Sequence, residues 1–128
     1  MCLLFAKIKE TTEDIICYKV YISFDNKLRS PYMRFPAPNM NEVANTVLDR
    51  GYLGRAKDNN LAYMVNRGFH SFKYIDDLTK ELYFWQSSDV KIFKCIIPKG
   101  TKYYEGKFDE SSSYCSESII LKETIDIE

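Results

Sequence analysis

Strand-like and helix-like segments that do not alternate regularly along the chain predict an α+β domain: a curved mixed or antiparallel sheet carrying two helices. Three observations carry this. Residues 15–22 and 90–97 are β-branched and aromatic runs. Residues 40–50 and 74–85 place apolar side chains at helical spacing. Gly, Pro, Asn and Asp punctuate the chain between these segments. A length of 128 residues fits one domain, 1–128, with a core that needs neither metal nor disulfide.

In order, residues 7–14 are polar and read as a lead-in. Residues 15–22 put Ile16, Tyr18, Val20 and Ile22 on one face of a strand. Asp25 and Asn26 suit a tight turn, and residues 28–35 return as a second strand, kept short or at an edge by Pro31. Pro36-Ala37-Pro38 stops it. Asn39 or Asn41 then caps a helix at 40–50, in which Met40, Val43, Ala44, Val47 and Leu48 form one face and Gly51 ends it. Residues 51–66 read as a long loop that carries Arg55 and Lys57, with Arg50 just before it, as a solvated charged surface.

Gly68 to Phe72 is a short strand entering a second helix at 74–85, with Ile75, Leu78, Leu82 and Trp85 on one face. Asp76 and Asp77 sit in its first turn, where the helix dipole favours negative charge. Residues 90–97 carry apolar groups on both faces, which places this strand near the centre of a sheet. A turn at Pro98-Lys99-Gly100, a short strand at 101–105, a polar loop at 108–113 and a strand at 114–121 follow. Residues 122–128 alternate and add an edge strand.

Composition narrows the function classes. Eighteen basic and eighteen acidic side chains cancel, which removes the electrostatic footprint of a nucleic-acid binder. No run approaches a membrane span, and the opening Met1-Cys2-Leu3-Leu4-Phe5-Ala6 lacks a basic lead and the length of a secretory segment. The expected compartment is the cytoplasm. Cys2, Cys17, Cys95 and Cys115 make no C-x-x-C pair, and with a single His they offer no metal site; Cys17 and Cys95 read as small buried hydrophobes in strands.

Ten Tyr, eight Phe and one Trp form an aromatic share of 15%, which suits either a thin core or a ligand cleft. Tyr103 and Tyr104 are adjacent in a strand and point to opposite faces, so one is expected at the surface or lining a groove. His70 is the one side chain that titrates near neutrality by itself. It stands beside Ser71, but adjacency does not make a triad, and its plain reading is structural. The chain has no phosphate-binding glycine loop, nucleophile elbow or zinc-protease motif.

Gly68-Phe69-His70-Ser71, then Pro98-Lys99-Gly100-Thr101, then Glu117 leading into Ser118-Ile119-Ile120-Leu121 resembles the layout of ADP-ribosyltransferase-like domains, over residues 67–121. Tyr18-Lys19 stands where that family places tyrosine and then arginine or histidine on an early strand. The resemblance implies NAD as ligand. It also implies a carboxylate for an oxocarbenium-like ribose, aromatic walls for nicotinamide and a cation for the pyrophosphate. Glu117, Tyr103 or Tyr104, and Lys19 or Arg67 would fill those roles, with Tyr18, His70 and Ser71 lining the site. Glu117 aligns in two registers. One makes it the catalytic residue; the other puts Ile119 at the catalytic position and implies a dead enzyme.

The whole chain also resembles small proteins of gut Bacteroidales and their phages, through Met1-Cys2-Leu3, Cys17-Tyr18-Lys19-Val20, Gly68-Phe69-His70-Ser71-Phe72 and Cys95-Ile96-Ile97-Pro98-Lys99-Gly100. That resemblance implies no activity. The expectation is a degenerate ADP-ribosyltransferase-like module binding a nucleotide-like ligand or a protein partner. The alternative is an NAD-consuming enzyme using Glu117. A third class is a homodimer built through the edge at 28–35.

Overall fold

The computed structural model describes residues 4–24, 27–29, 36–55, 61–78, 90–108 and 111–125. Its strands are β1 Leu4–Glu10, β2 Ile15–Phe24, β3 Lys27–Arg29, β4 Val43–Asn45, β5 Asp49–Arg55, β6 Leu61–Arg67, β7 Phe69–Phe72, β8 Val90–Ile97, β9 Lys102–Phe108, β10 Ser111–Ser116 and β11 Ser118–Ile125. Among the described residues, helix is confined to the 3-10 turn Ile75–Asp77 and Leu78 directly after it. The described residues are nearly all antiparallel β-sheet, which overturns the α+β expectation with its two helices.

Nine strands form one sheet in the order β1-β9-β10-β7-β2-β8-β11-β4, with β3 also on β2; β5 and β6 make a separate hairpin. Every strand pairing is antiparallel. The run at 90–97 lies inside the sheet, between β2 and β11, as its two apolar faces require.

The expected helix at 40–50 is extended chain. Its apolar residues fit two periods at once, and the strand period wins. Val43 and Val47 are exposed, whereas Ala44, Thr46 and Leu48 turn partly inward. β-branched valines favour that choice. Asn41 does not cap a helix; it takes the left-handed conformation at φ 60° and sends its amide to the Leu121 carbonyl. The expected helix at 74–85 begins as the 3-10 turn, and residues 79–89 lie outside the described residues.

Three segments expected as loops pair instead. Residues 51–66 are largely the β5–β6 hairpin, with register shifts at Asp49/Arg50 and Tyr52/Gly54. Glycine inside a strand marks such a bulge. The lead-in at 7–14 contains most of β1, an edge strand on β9. Residues 111–113 of the polar loop expected at 108–113 open β10, which is inserted between β9 and β7. There Ser113 stands opposite both Gly106 and Phe72, so a small side chain leaves room for a large one. The strand expected at 114–121 is broken by Glu117 into β10 and β11. Of the expected return strand at 28–35, residues 28–29 lie in β3 and 30–35 are outside the described residues.

Each face of the sheet carries a buried cluster. Cys17, Tyr21, Phe93, Cys95, Ile97, Tyr103, Tyr114, Ile119 and Leu121 pack together on one face. Val20, Phe72, Leu78 and Ile92 pack on the other. The turn after β8 is stapled to the chain before β2: Thr11 donates to the Pro98 carbonyl at 2.7 Å and accepts from the Thr101 amide at 2.8 Å. Gly68, between β6 and β7, has φ +146°, and a Cβ there would lie 2.4 Å from Cys115 Sγ. The position requires glycine for conformation and for space.

Candidate functional site

At the seam between β2 and β7 the sheet departs from a regular ladder. β2 pairs with β8 over eight residues, from Ile15–Ile97 to Ile22–Val90. Towards β7 it makes a single pair, Tyr18 with Phe72. Beside that pair, Lys19 donates its ammonium to the backbone carbonyl of His70 on β7. A side chain thus supplies a cross-strand hydrogen bond that a backbone amide would make in a continuous ladder.

Lys19 is 6% exposed. Its Nζ sits 5.3 Å from the centre of the Tyr21 ring and 6.0 Å from that of Phe69. Burial pulls its pKa below the ordinary lysine range, because a charged amine loses its water there. The neighbouring thiols of Cys95, Cys17 and Cys115 oppose this shift.

Cys17 and Cys95 are directly opposed across β2 and β8, both fully buried. The Cys17 thiol is pulled below its ordinary range by hydrogen bonding with Cys95, aided by Ser71 and the charge of Lys19, against the effect of burial. Cys95 is pushed far up, first by its hydrogen bond to Cys17 and then by burial. Ser71, also fully buried, is thus a neighbour of Cys17.

Strand alternation divides the residues singled out from the sequence. Lys19 lies on the face of Cys17 and Tyr21, in register with Phe93. Ser71 pairs with Tyr114 and shares that face, as does Tyr103, whose ring meets Tyr114 edge-on at 5.7 Å. Tyr18 and His70 lie on the opposite face, with Phe72. His70 faces Cys115 across the β7–β10 pairing, Nδ1 being 3.8 Å from Sγ. Tyr104 also pairs with Cys115 and shares the second face. The expectation that one of Tyr103 and Tyr104 is exposed fails: they do point to opposite faces, but each is buried, at 7% exposed.

Glu117 lies apart, at the corner between β10 and β11. Its carboxylate accepts from the Lys102 amide at 3.1 Å, while its own amide goes to the Lys102 carbonyl and its carbonyl to the Thr46 amide. It stands three residues beyond Tyr114, the partner of Ser71, or about 10 Å along the strand. The structure therefore brings Lys19 and Ser71 together and does not bring Glu117 to them. Sequence reasoning missed the Cys17–Cys95 pair as a unit. Both strands were visible, but no local signal gives their mutual register.

Among the described residues, no group of three His, Cys, Asp or Glu side chains is placed to hold a metal ion, and no helix is long and apolar enough to cross a membrane. The chain matches no protein-family model, no curated protein and no solved structure.

Proposed function

We propose that this chain is a small cytoplasmic binding module, a degenerate ADP-ribosyltransferase-like domain that takes a nucleotide-like ligand without turning it over. What supports the reading is the pairing of the two motif-bearing strands. Tyr18-Lys19 on β2 and Phe69-His70-Ser71 on β7 are neighbours in the middle of the sheet. Lys19 and Ser71 share one face, and a buried amine beside a hydroxyl suits the acceptor oxygens of a phosphate or ribose.

The observation that sets binding above catalysis is the place of Glu117. Cleaving a glycosidic bond at ribose needs a carboxylate near the developing cation. The Glu117 carboxylate instead holds the Lys102 amide, and no carboxylate among the described residues bears on Lys19.

The test is a thermal melt of the full chain with NAD or ADP-ribose in large excess, run beside an assay for nicotinamide release. Saturation at about a hundredfold over the dissociation constant stabilises by roughly 2.7 kcal/mol, a shift of several degrees. A shift without nicotinamide release is expected. Release that Glu117→Gln abolishes would establish the enzyme reading instead, and no shift with either nucleotide would overturn this one.

A further inference from the structure

We propose that Cys17 and Cys95 are a peroxide-reactive dithiol that closes into a cross-strand disulfide. The geometry comes first. The two cysteines are register partners in an antiparallel pair and point to the same face. Directly opposed Cβ atoms lie about 4.5–5.5 Å apart, and a disulfide needs about 3.8 Å, so the strands close by roughly 1 Å. Both thiols are free in the structure.

The surroundings make the two sulfurs unequal. Cys17 is two residues from Lys19 on the same face, beside Ser71 and directly opposed to Cys95. A cation and donors favour a thiolate, the reactive form of cysteine. Cys95 keeps its proton, which its Sγ donates to the Phe93 carbonyl at 3.6 Å, and the neighbouring Cys17 and burial both oppose its ionisation. Cys17 is therefore the attacking sulfur and Cys95 the resolving one. Cys115 is the bystander: burial pushes its thiol up to about 12, and it faces His70 on the other side of the sheet. Both thiols are fully buried, so hydrogen peroxide reaches them through local opening of the seam between β2 and β7, which one backbone pair and the Lys19 ammonium close.

The chemistry balances with the peroxide as the sole oxidant. The Cys17 thiolate attacks one peroxide oxygen and the O–O bond breaks. The departing hydroxide takes a proton from the Lys19 ammonium and leaves as water, with Cys17 as the sulfenic acid. The Cys95 sulfur then attacks the Cys17 sulfur, the S–O bond breaks, and the hydroxyl leaves as water with the Cys95 proton. Two thiols are oxidised to one disulfide, and one peroxide is reduced to two waters. None of this requires nucleotide binding, so it stands or falls separately from the binding reading.

The experiment treats the reduced full-length chain with equimolar hydrogen peroxide at neutral pH, blocks remaining thiols by alkylation under denaturing conditions, and maps the peptides. A linked pair carrying Cys17 and Cys95 is expected, with Cys2 and Cys115 alkylated. In Cys95→Ser the reaction halts at Cys17, where dimedone captures the sulfenic acid. Lys19→Gln slows oxidation, because the charge that favours the Cys17 thiolate and the proton for the departing hydroxide are both lost. Full alkylation of both thiols after treatment, a bond to any other cysteine, or Cys95→Ser without a dimedone adduct at Cys17 would each overturn the proposal. Should Lys19→Gln fail to fold, the trapping in Cys95→Ser decides.

Discussion

The ammonium of Lys19 on β2 donates to the backbone carbonyl of His70 on β7, joining two strands whose ladder otherwise consists of one pair. The bond satisfies a carbonyl in a buried seam, but it also takes a charged amine out of water.

These two effects separate by pH. Burial holds the folded pKa of Lys19 below its ordinary 10.5. Between the folded value and 10.5 the unfolded chain binds more protons at this site, so folding stability gained from Lys19 rises with pH across that window. Compared with Lys19→Met, the wild type should gain in melting temperature as pH is raised towards 10.5 and stop gaining above it. Parallel curves for the two proteins from pH 6 to 10.5 would mean the amine stays charged in the fold.

Cys115 gives the opposite slope. Its folded pKa is raised from 9.0 to about 12, chiefly by burial. The stability it contributes is complete below pH 9 and is lost as pH rises through the folded value. Across that interval the loss approaches about 1.4 kcal/mol per pH unit. Chemical denaturation from pH 8 to 11 should show a steeper decline for the wild type than for Cys115→Ala. Equal slopes would place the thiol in a wetter site than its burial implies.

Gly68 tests how tightly β7 meets β10. Alanine there keeps φ +146°, and its Cβ would meet Cys115 Sγ at 2.4 Å and Leu48 Cδ2 at 2.7 Å. Conformation and crowding add, so Gly68→Ala should destabilise by about 2–4 kcal/mol in urea unfolding. In a double-mutant cycle Cys115→Ala should return part of that loss, the part due to crowding. Full additivity would leave backbone conformation as the whole cause.

The sequence made β2, β7 and β8 legible because β-branched and aromatic residues are dense there and turn residues bound them. It misled at 40–50, where Val43, Ala44 and Val47 satisfy helical spacing while Val43 and Val47 face outward in extended chain. It hid the first half of β10 because Ser111 and Ser113 are polar by type yet buried by position. The candidate site was legible in its parts. Lys19 and Ser71 were identified by motif, but their shared face depends on the Tyr18–Phe72 register. The Cys17–Cys95 opposition likewise depends on pairing between distant segments, which no local pattern specifies.

Thr11 supplies the sharpest contrast between buried and exposed polar contacts. Its hydroxyl serves the Pro98 carbonyl and the Thr101 amide at once, and both threonines are buried. Thr11→Val keeps the shape and removes both hydrogen bonds, leaving a buried donor and acceptor unmatched. The expected cost is about 2–4 kcal/mol, from roughly 1–3 for each unsatisfied group with partial relaxation. Lys9 and Glu105 also join distant strands, at 3.4 Å, but across a partly exposed edge. Lys9→Ala should cost no more than about 1 kcal/mol, and less still in high salt. Denaturant unfolding of the two variants side by side checks the order. If Lys9→Ala proved the more damaging, the strength of the β8–β9 corner would have to lie in its packing and not in the Thr11 hydroxyl.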